Sequence, residues 1–235
     1  MSRCRHGPSV ARAREVRHNG AMILTRLGHA CLLVETATSR VLIDPGTHTS
    51  DWHSVTDLDA VLVTHQHGDH VDVNNIGGLL DANPNARVIV ERAVVEMLAD
   101  RNPEIAEVGD HLEIGDLRVQ VVGGQHAIIH ERIPRVGNVG FVVTEPGGPT
   151  MFHPGDAYTS NPSNIDLLAL PLAAPWARLA MTIDFANAVR PGRLLLIHDA
   201  TLNELGRPTY LRMLRAVVDE SIAIEDPALG EAYTV

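Results

Sequence analysis

Residues 60–70 read Ala60-Val61-Leu62-Val63-Thr64-His65-Gln66-His67-Gly68-Asp69-His70. The segment from Ala60 to Thr64 is short, apolar and β-branched, the pattern of a buried strand, and it delivers His65 at its C-terminal end. Side chains two residues apart fall on the same side of an extended chain, so His65 and His67 point together. Gly68 permits a sharp reversal, after which Asp69 and His70 project from the next turn. Three imidazoles and a carboxylate so close together form a donor set for a divalent transition metal. Imidazole with carboxylate oxygen suits zinc, iron or manganese better than calcium or magnesium. A polar loop with surface histidines is the competing reading, since the chain has 13 histidines; the position directly behind an apolar strand favours the metal.

Composition narrows the function. With 235 residues the chain can build one substantial core. Aromatic residues make up only 3%, so Val, Leu, Ile and Ala must fill the interior. The formal net charge of −10 argues against a general nucleic-acid-binding surface. A small-molecule substrate remains the expected partner, and a homo-oligomer stays open. All 19 cationic residues are arginine, which removes any lysine nucleophile or Schiff base. Cys4 and Cys31 are too far apart in sequence to suggest a disulfide framework or a thiolate site. No apolar run is long enough to span a membrane. Residues 1–21 are arginine-rich without the apolar centre of a secretory signal, and read as a disordered extension preceding one domain over 22–235. A cytoplasmic location follows as the expectation.

Along the chain, Met22–Leu27 and Ala30–Thr36 read as strands joined at Gly28-His29, and Val41–Ile43 as a third strand ending in the turn Asp44-Pro45-Gly46. A helix is expected over Asn74–Asp81, a strand over Arg87–Glu91, and an amphipathic helix over Arg92–Asp100 with Ala93, Val94 and Met97 inward. Strands follow at Ile105–Val108, His111–Ile114, Leu117–Val122, Asn138–Thr144, Thr150–His153, Asp166–Leu170 and Arg193–Ile197. Helices are expected over Met181–Val189 and from about Thr209 to Asp219. Many short strands separated by a few helices predict mixed sheets.

Three further strand ends expose ligand types. His126 follows an apolar strand and a Gly-Gly pair, Asp156 follows Thr150–His153, and His198 ends Arg193–Ile197. Each repeats the logic of His65, with a donor at the C-terminal edge of an apolar strand. His130 is a rival for His126, which its strand and glycine context favours. Asp44 is either a turn residue or an acceptor behind a ligand imidazole. His29, His153 and Trp176 are candidates to surround the metals or line the pocket; for His153 and Trp176, simple packing is an equal alternative.

The H-x-H-x-D-H pattern at 65–70 resembles the signature of the metallo-β-lactamase superfamily. The order of that motif, then His126, Asp156 and His198, matches the family over essentially all of 22–235. By that resemblance His65, His67 and His126 hold one ion; Asp69, His70 and His198 hold a second; and Asp156 bridges them. It also implies an αββα sandwich, two central mixed sheets flanked by helices. Gly28-His29-Ala30 and Ile43-Asp44-Pro45 look like the short ascorbate-6-phosphate lactonase-like branch and its uncharacterised relatives.

Two divalent ions, zinc first with manganese or iron possible, would activate a shared water toward an acyl carbon or phosphorus, with Asp69 orienting that water and taking its proton. The expected activity is hydrolysis of a small lactone, ester or phosphoester. Phosphate recognition would call on Arg132, Arg135 or Arg178, and an apolar substrate on a wall at Pro171–Leu179. The alternatives are a phosphodiesterase or nuclease acting on oligonucleotides, and a non-catalytic metal-binding scaffold.

Overall fold

A computed structural model describes residues 21–235; the extension expected at the start of the chain falls on residues 1–20, outside the described residues, and Ala21. The strands β1 (Ile23–Gly28), β2 (Cys31–Glu35), β3 (Arg40–Ile43), β4 (Ala60–Val63), β5 (Arg87–Val90) and β6 (Glu104–Ile105) form one sheet. It is antiparallel from β1 to β3 and parallel from β3 to β6. The second sheet contains β7 (His111–Ile114), β8 (Leu117–Gly123), β9 (Val139–Thr144) and β10 (Thr150–His153), all antiparallel. It continues in parallel through β11 (Leu167–Pro171), β12 (Arg193–Ile197) and β13 (Ala223–Glu225). A last strand, β14 (Ala232–Thr234), returns to pair with β1. Helices α1 (Ile76–Ala82) and α2 (Val94–Met97) cover the first sheet, and α3 (Leu179–Val189) and α4 (Gly206–Val217) the second.

The strand patterns follow from these layers. In β4, Ala60 and Leu62 face the inter-sheet core while Val61 and Val63 pack under the first helix layer. In β12, Leu195 and Ile197 face inward and Leu194 and Leu196 meet α3 and α4. Both faces are covered, hence the unbroken apolar runs. By contrast β8 alternates: Leu117, Val119 and Val121 are buried and Arg118 and Gln120 exposed, because its outer face meets solvent. This is the expected αββα sandwich.

Several boundaries differ from the sequence expectation. The helix expected over 92–100 shrinks to α2, then a 3₁₀ turn at Ala99–Arg101 that ends at left-handed Asn102 before Pro103; a residue preceding proline disfavours helical backbone. Val94 is buried as expected, but Leu98 takes the place of Met97, which is exposed. The strand at 105–108 is reduced to the two-residue edge strand β6. Helix α4 begins at Gly206 rather than Thr209, because the Asn203 side-chain oxygen accepts from the Leu205 and Gly206 N–H groups at 3.1 and 2.8 Å. Pro208 then falls in the first turn, where a missing N–H costs nothing. Neither β13 nor β14 has a readable pattern; each is a three-residue edge strand defined by its partner.

Main-chain bonds stitch the sheets at one end. Val139 N–H donates to the Thr64 carbonyl at 2.9 Å, and His198 N–H to the His29 carbonyl at 2.8 Å. Asn83 holds the segment before β4: its oxygen accepts from Leu58 N–H, and its amide donates to the Val55 and Leu79 carbonyls, at 2.8–2.9 Å. Asn83→Ala leaves these buried groups partnerless and should lower unfolding free energy by about 3 kcal/mol in a denaturant titration. At the C-terminal side, Arg207 pairs with Asp226 at 2.5 and 3.0 Å. That pairing holds the Asp226 carboxyl below its usual range against the effect of partial burial. A depressed folded pKa adds stability above the unfolded value and loses it as pH falls. Asp226→Asn should therefore cost about 0.5–1 kcal/mol at neutral pH, discounted for exposure, and the gap to wild type should close below about pH 4.

Candidate metal centre

Strand ends from both sheets build the site: the β1–β2 turn brings His29, the exit of β3 Asp44, and the exit of β4 residues 64–70, while β8, β10 and β12 lead to His126, Asp156 and His198. The 64–70 loop is tied to the β3 exit. Thr64 donates its N–H to one Asp44 oxygen at 2.8 Å and its hydroxyl to the other at 2.7 Å. Gly46 lies so close beneath that a Cβ there would stand 1.8 Å from the Asp69 carbonyl oxygen. Asp156 is set by Asn138, whose side-chain oxygen accepts the Asp156 N–H at 2.8 Å and whose amide donates to the Pro154 carbonyl at 3.0 Å.

Three groups of donor atoms result, each with its atoms within 4.8 Å of one another: His65, His67 and His126; His29, Asp69, His70 and His198; and His65, His70 and Asp156, which joins the other two. All seven residues expected as ligands are therefore together. His65 and His67 do point the same way, their nearest ring nitrogens 3.1 Å apart. His130 is exposed and accepts from the Arg132 N–H, away from the cluster.

The hydrogen bonds fix which atoms face the centre. His70 donates its Nδ1–H to Asp44 at 2.6 Å, His126 to the Ala127 carbonyl at 2.6 Å, and His198 to the Ala173 carbonyl at 2.7 Å. Each bond leaves Nε2 as the available lone pair, the arrangement typical behind metal-ligating histidines. These three Nε2 atoms and Oδ1 of Asp156 are buried without a hydrogen-bond partner. His70 Nε2 and Asp156 Oδ1 stand 3.1 Å apart yet are not aligned as donor and acceptor. So many neighbouring orphans would be costly in a site meant to stay dry and ion-free. The donor set fits a divalent metal.

Electrostatics point the same way. Burial opposes ionisation of Asp69, but the imidazoles of His198 and His29 hold its carboxyl far below the usual range. Asp156 is likewise held low against burial, chiefly by His70. Burial pushes His65 and His67 down, which keeps their lone pairs free. Against burial, Asp156 and Asp44 hold His70 well above the ordinary histidine value, and Asp156 and Asp69 raise His198 to about 9. The buried carboxylate of Asp156 and the partly buried one of Asp69 demand positive charge beside them, which protons on these imidazoles or a divalent ion can supply.

The surrounding residues take definite roles. Asp44 is the acceptor behind His70. His153 donates Nε2–H to the Ala30 carbonyl at 2.9 Å and accepts from Gly155 N–H, a buried structural histidine 3.9 Å from Asp44. Trp176 is buried and donates its indole N–H to Asp156 at 2.7 Å, so it braces that carboxylate instead of forming an open apolar wall. The apolar surface beside the site lies elsewhere: Ala127, Ile128, Ile129 and Ile133 line a shallow cleft with His67 and Arg135. Sequence reading missed Thr64 and Asn138 as supports; neither carries any motif, and each is recognisable only by what folds against it.

Comparison with known proteins agrees with this geometry. The family model described as "Beta-lactamase superfamily domain" matches residues 23–198. Protein Rv0786c of Mycobacterium tuberculosis is 38% identical over 190 residues, covering 80% of this chain and 89% of that protein. A UPF0173 metal-dependent hydrolase of Xanthobacter autotrophicus is 29% identical over 150 residues, 57% of this chain and 62% of its own. The solved putative metal-dependent hydrolase of Parabacteroides distasonis shares the fold at a TM-score of 0.73 and 20% identity, over 88% of this chain and 93% of that one. The chain belongs to the beta-lactamase superfamily: it has the metallo-β-lactamase fold and is a metal-dependent hydrolase.

Proposed function

We propose that the protein hydrolyses a small ester or lactone with an apolar flank, using two divalent ions. His65, His67 and His126 would hold one, Asp69, His70 and His198 the other, with Asp156 shared. The observation that carries this reading is the convergence of buried, partnerless donor atoms on one centre. An imidazole-rich set with two carboxylates favours zinc, and manganese or iron competes where available.

When bound, the ions supply a water of lowered pKa and polarise the substrate oxygen. The protein orients that chemistry. Asp69 has a side chain 25% exposed against 4% for Asp156 and none for Asp44, so it is the carboxylate that meets incoming water. Its Oδ2 is engaged by His29 at 3.1 Å. Held strongly ionised, Asp69 acts as an acceptor that orients the water and passes its proton on.

The choice of substrate rests on the apolar surface beside His67, since the cavity beneath it, about 10 Å³, holds no more than a water. Ile128 and Ile133 are exposed at its rim, and Arg135 is committed, its guanidinium donating to the His126 carbonyl and to Gln125. An apolar rim with a tethered arginine supports an ester or lactone over a phosphoester. The net charge of −10 counts against an oligonucleotide substrate.

Two measurements test the reading. Asp69→Asn should keep the fold and lose about 10²–10⁴ of turnover in a side-by-side assay on a simple lactone and an activated phosphodiester; near-wild-type rates would remove the mechanism, and a phosphodiester preference the substrate class. Stripping metal with a chelator should abolish turnover and lower the melting temperature. Adding back zinc or manganese at a hundred times its Kd should restore about 2.7 kcal/mol; unchanged melting would sink the metal reading.

A further inference from the structure

We infer that His29 is an additional protein ligand of the second ion, so that the two metal positions are unequal; this rests on the two-ion reading above. Asp156 lies near donors of both sets, 3.1 Å from His70 and 3.4 Å from His126. Each position otherwise has three donors of its own, and His29 gives the second one more.

His29 is built into place. It occupies a turn between two buried strands, yet is a non-glycine residue with φ +49 and only 3% exposure. Such backbone is uncommon and concentrates at functional sites. Its carbonyl accepts the His198 N–H at 2.8 Å, which joins this turn of the first sheet to a ligand from the second. Thr49 packs against the adjoining Gly28 and donates its hydroxyl to the Leu27 carbonyl. The imidazole itself is sandwiched, with the His48 ring stacked at 4.6 Å and the His198 ring at 3.9 Å.

Distances suit a ligand. The Nε2 atoms of His29, His198 and His70 stand 3.1, 3.5 and 3.9 Å from the same Asp69 oxygen. Two ligand atoms each roughly 2.0–2.1 Å from one zinc ion would lie at most about 4 Å apart, a limit that all three distances meet. Among the described residues, the other position, whose His67 borders the cleft, has no equivalent of His29. The position with the additional protein donor retains its ion more firmly, and the position with fewer protein donors exchanges it and accepts substrate or water. The ion beside His29 is therefore the anchor, and the ion beside His67 the exchangeable one that faces the cleft.

The test loads the full chain with cobalt(II). It follows metal content after gel filtration against increasing chelator, and counts the hyperfine-shifted imidazole N–H signals by NMR. Wild type should give up one ion readily and keep the other. His29→Gln, which retains a polar contact for Asp69, and His29→Ala should each weaken the retained ion at least about tenfold and lose one shifted imidazole signal. Unfolding of the metal-stripped forms checks that both variants fold. Unchanged retention, or weaker retention with every shifted signal still present, would overturn the assignment; the latter would leave His29 as a residue that only orients Asp69. Wild type that never takes a second equivalent would instead sink the two-ion reading.

Discussion

The site depends on a carboxylate that no solvent reaches. Asp44 is fully buried in a left-handed turn at the end of β3, and a buried charge is tolerated only when paired and hydrogen-bonded. Thr64 satisfies it twice and His70 once. Those bonds set the start of the ligand loop, choose the His70 tautomer, and leave Nε2 facing the centre. A single buried anion thereby fixes both the backbone that carries four expected ligands and the ring orientation of one of them.

From there the constraint spreads through both sheets. The candidate donors come from strand ends on opposite layers, so the donor set exists only when the two sheets are in register. The bonds from Val139 to Thr64 and from His198 to His29 hold that register by main chain. The centre in turn concentrates polar atoms that the protein alone does not satisfy. Folding stability and metal affinity are consequently coupled, since an ion that binds only the folded donor set stabilises the fold it needs.

The supports are uneven in a way that bears on chemistry. His70, His126 and His198 are each locked by donating a hydrogen bond behind them, to Asp44 and to two carbonyls, and Asp156 by accepting one from Trp176. Asp69 is the exposed member, and the isoleucine-bearing loop after His126 lies beside His67. Rigidity sits at the back of the centre and access at the front, as positioned catalysis requires.

By itself the sequence determined the parts governed by local periodicity and spacing. The apolar run of β4 followed by His65, His67, Asp69 and His70 was legible, as were His126, Asp156 and His198, because each stands just beyond an apolar strand. The two-faced burial of β4 and β12 was equally readable in their unbroken apolar composition. Only the tertiary structure decided how these ends meet. The edge strands β13 and β14 take their identity from their neighbours, and the helix expected over 92–100 gives way after α2 to a 3₁₀ turn that ends at left-handed Asn102 before Pro103. Thr64, Asn138 and Trp176 acquire their roles through partners 18 or more residues away, and His29 meets Asp69 across 40 residues. Hydrogen-bond partners so distant in sequence are set by strand order and sheet packing, which no local pattern encodes.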